Sequence, residues 1–166
     1  MSQYSSIAII GDGAMATVVA LLLCEKKHHV TMFCPIAEHA HKLIQTRNND
    51  QYLPGYPLPD NLQITGEPQD CAGHDLLINA IPTAYIRETW TRIGHHINDQ
   101  SPVLSVAKGI ENKTLMRPTQ IIQDVVNDAG HSLGPLASLS GPTIAGELAR
   151  RKPATMAVAS DDPQFA

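Results

Sequence analysis

The chain has 166 residues, 43% of them hydrophobic and 17% charged, with 12 Lys+Arg against 16 Asp+Glu and a formal net charge of −4. That length fits one domain burying about two-thirds of its unfolded surface, and the composition excludes disorder. Mild acidity leaves no electrostatic footprint for nucleic acid or an anionic membrane, and no apolar run reaches the roughly 18 residues of a membrane span.

Met1-Ser2-Gln3-Tyr4 leads straight toward a strand, without the basic start and small-residue cleavage site of a signal peptide. The first strand is the apolar run Ile7-Ala8-Ile9-Ile10, followed by glycines and a helix over residues 14–26. Residues 29–33 and 36–46 read as a second strand and helix. Residues 47–66 carry Pro54, Gly55, Pro57 and Pro59, which predicts a rigid loop with a short strand at 62–65. Leu76-Leu77-Ile78-Asn79-Ala80-Ile81 is a third strong strand. Ile86, Trp90, Ile93 and Ile97 then recur at spacings of 4, 3 and 4, one apolar stripe on a helix. A fourth strand spans 103–107. Ile121/Val125 and Ile122/Val126 form a further helix face with Pro118 near its start, and a weaker strand spans 136–139. Thr155 to Ala159 reads as another strand, and Asp161-Asp162-Pro163 as the start of a helix inside which the chain stops. Unbroken apolar strands joined by helices require parallel pairing, so the fold class is α/β: a doubly wound, mainly parallel sheet over residues 1–166.

Gly11-Asp12-Gly13-Ala14-Met15-Ala16 gives G-x-G-x-x-A directly after the first strand. Gly11 allows the tight turn, Gly13 lets backbone approach a pyrophosphate, and Ala16 lets the helix pack closely on the strand. The amides of the helix N-terminus then face phosphate. The alternative is a plain strand-turn-helix; the place at the first strand of a βαβ unit favours a Rossmann-type dinucleotide site. An acidic residue at the end of the second strand would hold the 2′-hydroxyl of NAD, but the sequence there is Phe33-Cys34-Pro35. Its absence favours NADP, with Arg47 as the cation for the extra phosphate.

Lys108 ends an apolar strand before Gly109, which puts its ammonium at the sheet edge where open α/β folds bind ligands. A cation there binds an anion or polarises a carbonyl gaining negative charge. Ser140-Gly141-Pro142-Thr143 reads as a second helix start at the same edge, suited to an anion or to ordinary capping by Ser140 or Thr143. Pro82 and Thr83 end the central strand beside the expected nicotinamide position, where a turn capped by Thr83 is the alternative. His28-His29, His95-His96, His39 and His41 have the wrong spacing for a metal, so none is expected. Cys24, Cys34 and Cys71 follow no ligand pattern and read as reduced thiols of a cytoplasmic protein, Cys34 as a small buried hydrophobe.

Three further segments carry a family likeness. Arg47-Asn48-Asn49-Asp50-Gln51-Tyr52-Leu53-Pro54-Gly55 with Leu58-Pro59-Asp60-Asn61-Leu62, then Ala107-Lys108-Gly109-Ile110-Glu111, then Ser140-Gly141-Pro142-Thr143-Ile144-Ala145-Gly146-Glu147-Leu148-Ala149 resemble, in order and spacing, NAD(P)-dependent glycerol-3-phosphate dehydrogenase. The resemblance implies an oxidoreductase interconverting dihydroxyacetone phosphate and sn-glycerol 3-phosphate by hydride transfer. It implies cofactor contacts at Ala14, Met15, Lys108 and Ala145, substrate contacts at Lys108, Gly141 and Thr143, and a catalytic role for Lys108. It also implies a proton-transferring lysine and most of the phosphate grip from a C-terminal helical domain; neither Lys113 nor Lys152 matches that lysine's motif. Ile144 replaces a usual aromatic, Ala16 a usual third glycine, and Asp12 puts a carboxylate beside the phosphate site. The expectation is therefore an N-terminal cofactor domain that takes NAD or NADP, the latter preferred, and forms a homodimer. A truncated, non-catalytic NAD(P)-binding module is the alternative, and ketopantoate reductase fits less well.

Overall fold

The computed structural model describes residues 4–166; Met1, Ser2 and Gln3, on which the targeting argument partly rests, lie outside them. Among the described residues, seven strands and five α-helices follow in the order β1 (Ser6–Ile10), α1 (Ala14–Glu25), β2 (His29–Phe33), α2 (Ala37–Thr46), β3 (Leu62–Thr65), β4 (Leu76–Asn79), α3 (Thr83–Ile93), β5 (Val103–Ser105), α4 (Pro118–Asp128), β6 (Leu136–Ser140), α5 (Ala145–Ala149) and β7 (Ala157–Ser160). They build one sheet in the order β3-β2-β1-β4-β5-β6-β7. Every pairing is parallel except β6 with β7, which is antiparallel.

β1 is an inner strand beside the central β4, and its Ile7, Ala8, Ile9 and Ile10 are all buried, as a strand covered on both faces must be. Ile7 and Ile9 face α1 and α2, where Ala16, Ala20, Ala40 and Leu43 are fully buried; small residues bring these helices close to the sheet. Ala8 and Ile10 face the other side, where α3 and α4 pack through Ile86, Trp90, Ile93, Ile121, Ile122 and Val126. The predicted isoleucine–tryptophan stripe is therefore core, but α3 ends at Ile93, and Ile97 reaches the same core from beyond a short 3-10 turn over Gly94–His96. The indole Nε1 of Trp90 donates to Asn79 Oδ1 at 2.9 Å, and Asn79 Nδ2 donates to Ser105 Oγ at 3.1 Å. This buried chain ties α3 to the C-terminal ends of β4 and β5.

The proline-rich segment is ordered by its own contacts. Arg47 caps α2 in the left-handed region (φ 51°) and turns its guanidinium inward, donating to the carbonyls of Pro59 and Leu62. Leu53 and Leu58 are buried beneath it, and β3 adds to the sheet beside β2 as the sequence predicts.

Five expectations are corrected. The helix predicted from Pro142 begins only at Ala145, because Ser140 is still paired with Ala157 in β7 and Thr143 N closes a tight turn onto Gly141 O at 2.8 Å. Neither Ser140 nor Thr143 caps it. Thr83 does not cap α3 either, since its hydroxyl is drawn to Lys108 O. Residues 161–165 form a turn closed by Phe165 N on Asp162 O, not a helix. Arg47, held by two carbonyls, is not the phosphate-reaching cation.

Candidate functional site

The loops at the C-terminal ends of β1, β2, β4, β5 and β6 gather at one edge, where open parallel sheets bind their ligands. Gly11 sits at φ +122°, and a Cβ on it would meet Ala80 O at 3.0 Å and Ile81 Cδ1 at 3.1 Å. Conformation and space both require glycine there. Gly13 is different. It is the N-cap of α1 in an ordinary extended conformation (φ −71°, ψ −177°), and a Cβ on it would meet nothing within 4 Å. No side chain caps α1, so the amides of Ala14, Met15 and Ala16 point into that free space with the positive end of the helix dipole behind them. An anion fits this cradle.

The cradle is braced from below. Asn49, buried in the proline-rich segment, donates Nδ2 to Asp12 O at 2.8 Å and to Thr17 Oγ1 at 2.7 Å, while Thr17 Oγ1 donates to Gly13 O at 3.0 Å. Asp12 turns away from the cradle: its carboxylate lies 2.5 Å from His39 Nδ1 in α2. The Cys34 thiol also faces Asp12, and burial, reinforced by that carboxylate, pushes it well above the ordinary thiol range. Cys34 is thus an inert, fully buried group, as its sequence context suggests. Burial likewise pushes Cys71 up to about 12, with Asp70 adding to it.

Beside the cradle a cavity of about 460 Å³ is walled by Asp12, Gly13, Pro35, Tyr52, Pro82 and Arg92. Its position between the β2 tip and the β4–α3 turn suits the adenosine half of a dinucleotide. On the far side of α1, Met15, Leu104, Ser140, Thr143 and Met156 line a second, more apolar cavity of about 240 Å³.

Lys108 is exposed at the end of β5 and reaches across to β6, its Nζ donating to Gly141 O at 2.8 Å. Its own carbonyl accepts from Thr83 Oγ1 at 2.8 Å, and the next residue, Gly109, turns at φ +113°. Lys108, Gly141 and the Pro82–Thr83 turn are therefore one cluster, as the sequence suggests. Ala145 opens α5 beyond it. Asn49, His39 and Arg92 reach the site from distant segments, and nothing local in the sequence singles them out: Asn49 lies in the polar run Arg47-Asn48-Asn49-Asp50-Gln51. Among the described residues, no three His, Cys, Asp or Glu side chains group to hold a metal, and no helix is long and apolar enough to cross a membrane.

A family model described as "NAD-dependent glycerol-3-phosphate dehydrogenase N-terminus" matches residues 6–166. Among curated relatives, a glycerol-3-phosphate dehydrogenase [NAD(P)+] of Acidobacterium capsulatum is 34% identical over 98% of this chain and 49% of its own length. One from Nitrosomonas eutropha is 35% identical over 97% of this chain and 47% of its own. The crystal structure of the glycerol-3-phosphate dehydrogenase of Coxiella burnetii superimposes with a TM-score of 0.85 at 26% identity, covering 96% of this chain and 47% of that one. The chain spans about half the length of the curated relatives it matches.

Proposed function

Since the chain belongs to the NAD-dependent glycerol-3-phosphate dehydrogenase family and matches its N-terminal half, we propose that it is the cofactor-binding and substrate-orienting part of such an oxidoreductase. The observation that carries this reading is a juxtaposition at one sheet edge. The uncapped start of α1, with open space before Gly13, faces the same rim as the Lys108 ammonium. When bound, the nicotinamide cofactor, NAD or NADP, supplies the hydride chemistry.

The chain's own residues do the rest of the work assigned to this half. Ala14, Met15 and Ala16 offer amides to the pyrophosphate, Pro82 lines the cleft beside it, and Ala145 lies at its far end. Lys108 places a positive charge where a carbonyl oxygen of dihydroxyacetone phosphate would gain negative charge, which is where a fixed cation lowers a barrier most. Its bond to Gly141 O fixes the ammonium between β5 and β6, and Gly141 and Thr143 form the neighbouring wall for sn-glycerol 3-phosphate. Neither of the other lysines on the C-terminal side joins it: Lys152 Nζ lies 3.4 Å from Glu147, and Lys113 sits in the loop beside Arg87 and Glu111. We therefore propose that these 166 residues bind dinucleotide without turning substrate over. A cytoplasmic setting is supported by three buried, unbridged cysteines.

Calorimetric titration with NADPH and NADH tests the reading. Saturable binding is expected, and Gly13→Asp should abolish it while leaving the fold intact, because the added side chain enters open space and carries a carboxylate to the pyrophosphate. Oxidation of NADPH dependent on dihydroxyacetone phosphate by the chain alone would refute the division of labour.

A further inference from the structure

We propose that Arg92 recognises the 2′-phosphate of the adenosine ribose and so makes this chain selective for NADPH over NADH; the inference rests on the dinucleotide reading above. The tip of β2 normally settles this choice, and here it offers Phe33, Cys34, Pro35 and Ile36, with no carboxylate to accept from a 2′-hydroxyl and no cation to meet a phosphate. The cation arrives instead from α3. Arg92 Nη1 donates to Pro35 O at 2.7 Å, across 57 positions of sequence, and its guanidinium carbon stands 5.7 Å from the centre of the Phe33 ring. A carbonyl and a ring face fix the guanidinium at the β2 tip without neutralising it.

The other arginines near this edge are spent elsewhere. Arg87 is held by Glu111 at 2.9 Å and Asp124 at 2.7 Å, and Arg47 is turned into the proline-rich segment. Arg92 remains exposed on the wall of the 460 Å³ cavity that also holds Gly13 and Tyr52. Two carboxylates share that wall. Asp12 is bonded to His39, and Glu88, one helical turn before Arg92, makes no ion pair with it. One guanidinium nitrogen is engaged by Pro35, which leaves the remaining donors of the fork for phosphate oxygens, the geometry that suits arginine better than lysine.

The test is titration of the chain and of Arg92→Ala and Arg92→Lys with NADPH and NADH, with thermal melts as a folding control; the exposed side chain makes a folding defect unexpected. Wild type should prefer NADPH. Arg92→Ala should weaken NADPH by about 10- to 100-fold and NADH by less than about 2-fold, with Arg92→Lys between them. The preference should also shrink as salt rises. Equal weakening of both dinucleotides would assign Arg92 to adenine or to loop positioning and overturn the proposal, as would equal wild-type affinities. Binding of neither dinucleotide would overturn this inference and the cofactor-domain reading together, whereas binding of both without an Arg92 effect would overturn this inference alone.

Discussion

The two ends of the sheet carry the same kind of loops to the same rim but are held by different forces. Around β1, β2 and β4, strands are buried on both faces and side chains from elsewhere lock the rim: Asn49 on Asp12 O and His39 on the Asp12 carboxylate at the glycine loop, Trp90 on Asn79 at the end of β4. Around β6, α5 and β7 almost nothing is buried. α5 contributes no buried residue, Ala157, Val158 and Ala159 are exposed, and Ile144 is 63% exposed. Backbone pairing and the Lys108–Gly141 bond hold that end in place. The dinucleotide end is preorganised by packing; the substrate end is positioned by hydrogen bonds that water can compete for.

The sharpest way to break this contrast is at Trp90. Trp90→Ala should cost about 3–5 kcal/mol in denaturant unfolding, since the side chain is fully buried and Asn79 loses its donor. Gly11→Ala should cost about 1–3 kcal/mol and abolish dinucleotide binding in the same titration, because φ +122° and the contact with Ala80 both resist a Cβ. Glu111 gives a pH-dependent test. The Arg87 guanidinium, helped by Thr114, lowers its carboxyl from 4.5 to about 2. Its folded value lies below its unfolded one, so its contribution is complete above pH 4.5 and is lost as the pH falls toward 2. With the Arg87 side chain 36% exposed, about 1 kcal/mol is expected. Unfolding curves for Glu111→Gln should show that loss at pH 7 and converge with wild type near pH 2. At the open end Val158→Thr should change stability by less than about 0.5 kcal/mol. A larger loss would show that β7 is better packed than its exposure indicates.

What the sequence made legible follows the same division. Continuous apolar runs such as Leu76-Leu77-Ile78 announce strands buried on both faces, and the stripe Ile86, Trp90 and Ile93 announces a packed helix, because burial imposes a period. The glycine loop was readable since its geometry permits few residues. At the open end the signals mislead. Pro142 suggests a helix start, yet pairing with β7, made between residues far apart, delays α5 to Ala145. Arg47 reads as a ligand-facing cation, yet the carbonyls of Pro59 and Leu62 hold its guanidinium. Arg92, Asn49 and His39 act across 57, 37 and 27 positions, distances at which no local pattern survives.

The placement of β1 also governs how the chain is made. Asp75, at the foot of β4, accepts hydrogen bonds from the amides of Ser5 and Ser6 at 2.9 Å, fastening β1 to a partner 69 positions later in the chain. At ribosomal rates of about 5–20 residues per second, that interval lasts roughly 3–14 s. Throughout it, β1 lacks its β4 partner, so at least one edge of its backbone is unpaired beside the apolar faces of Ile7, Ile9 and Ile10. The segment that the finished fold protects best is thus the one whose full shelter arrives late in synthesis, once residue 79 is available to pair.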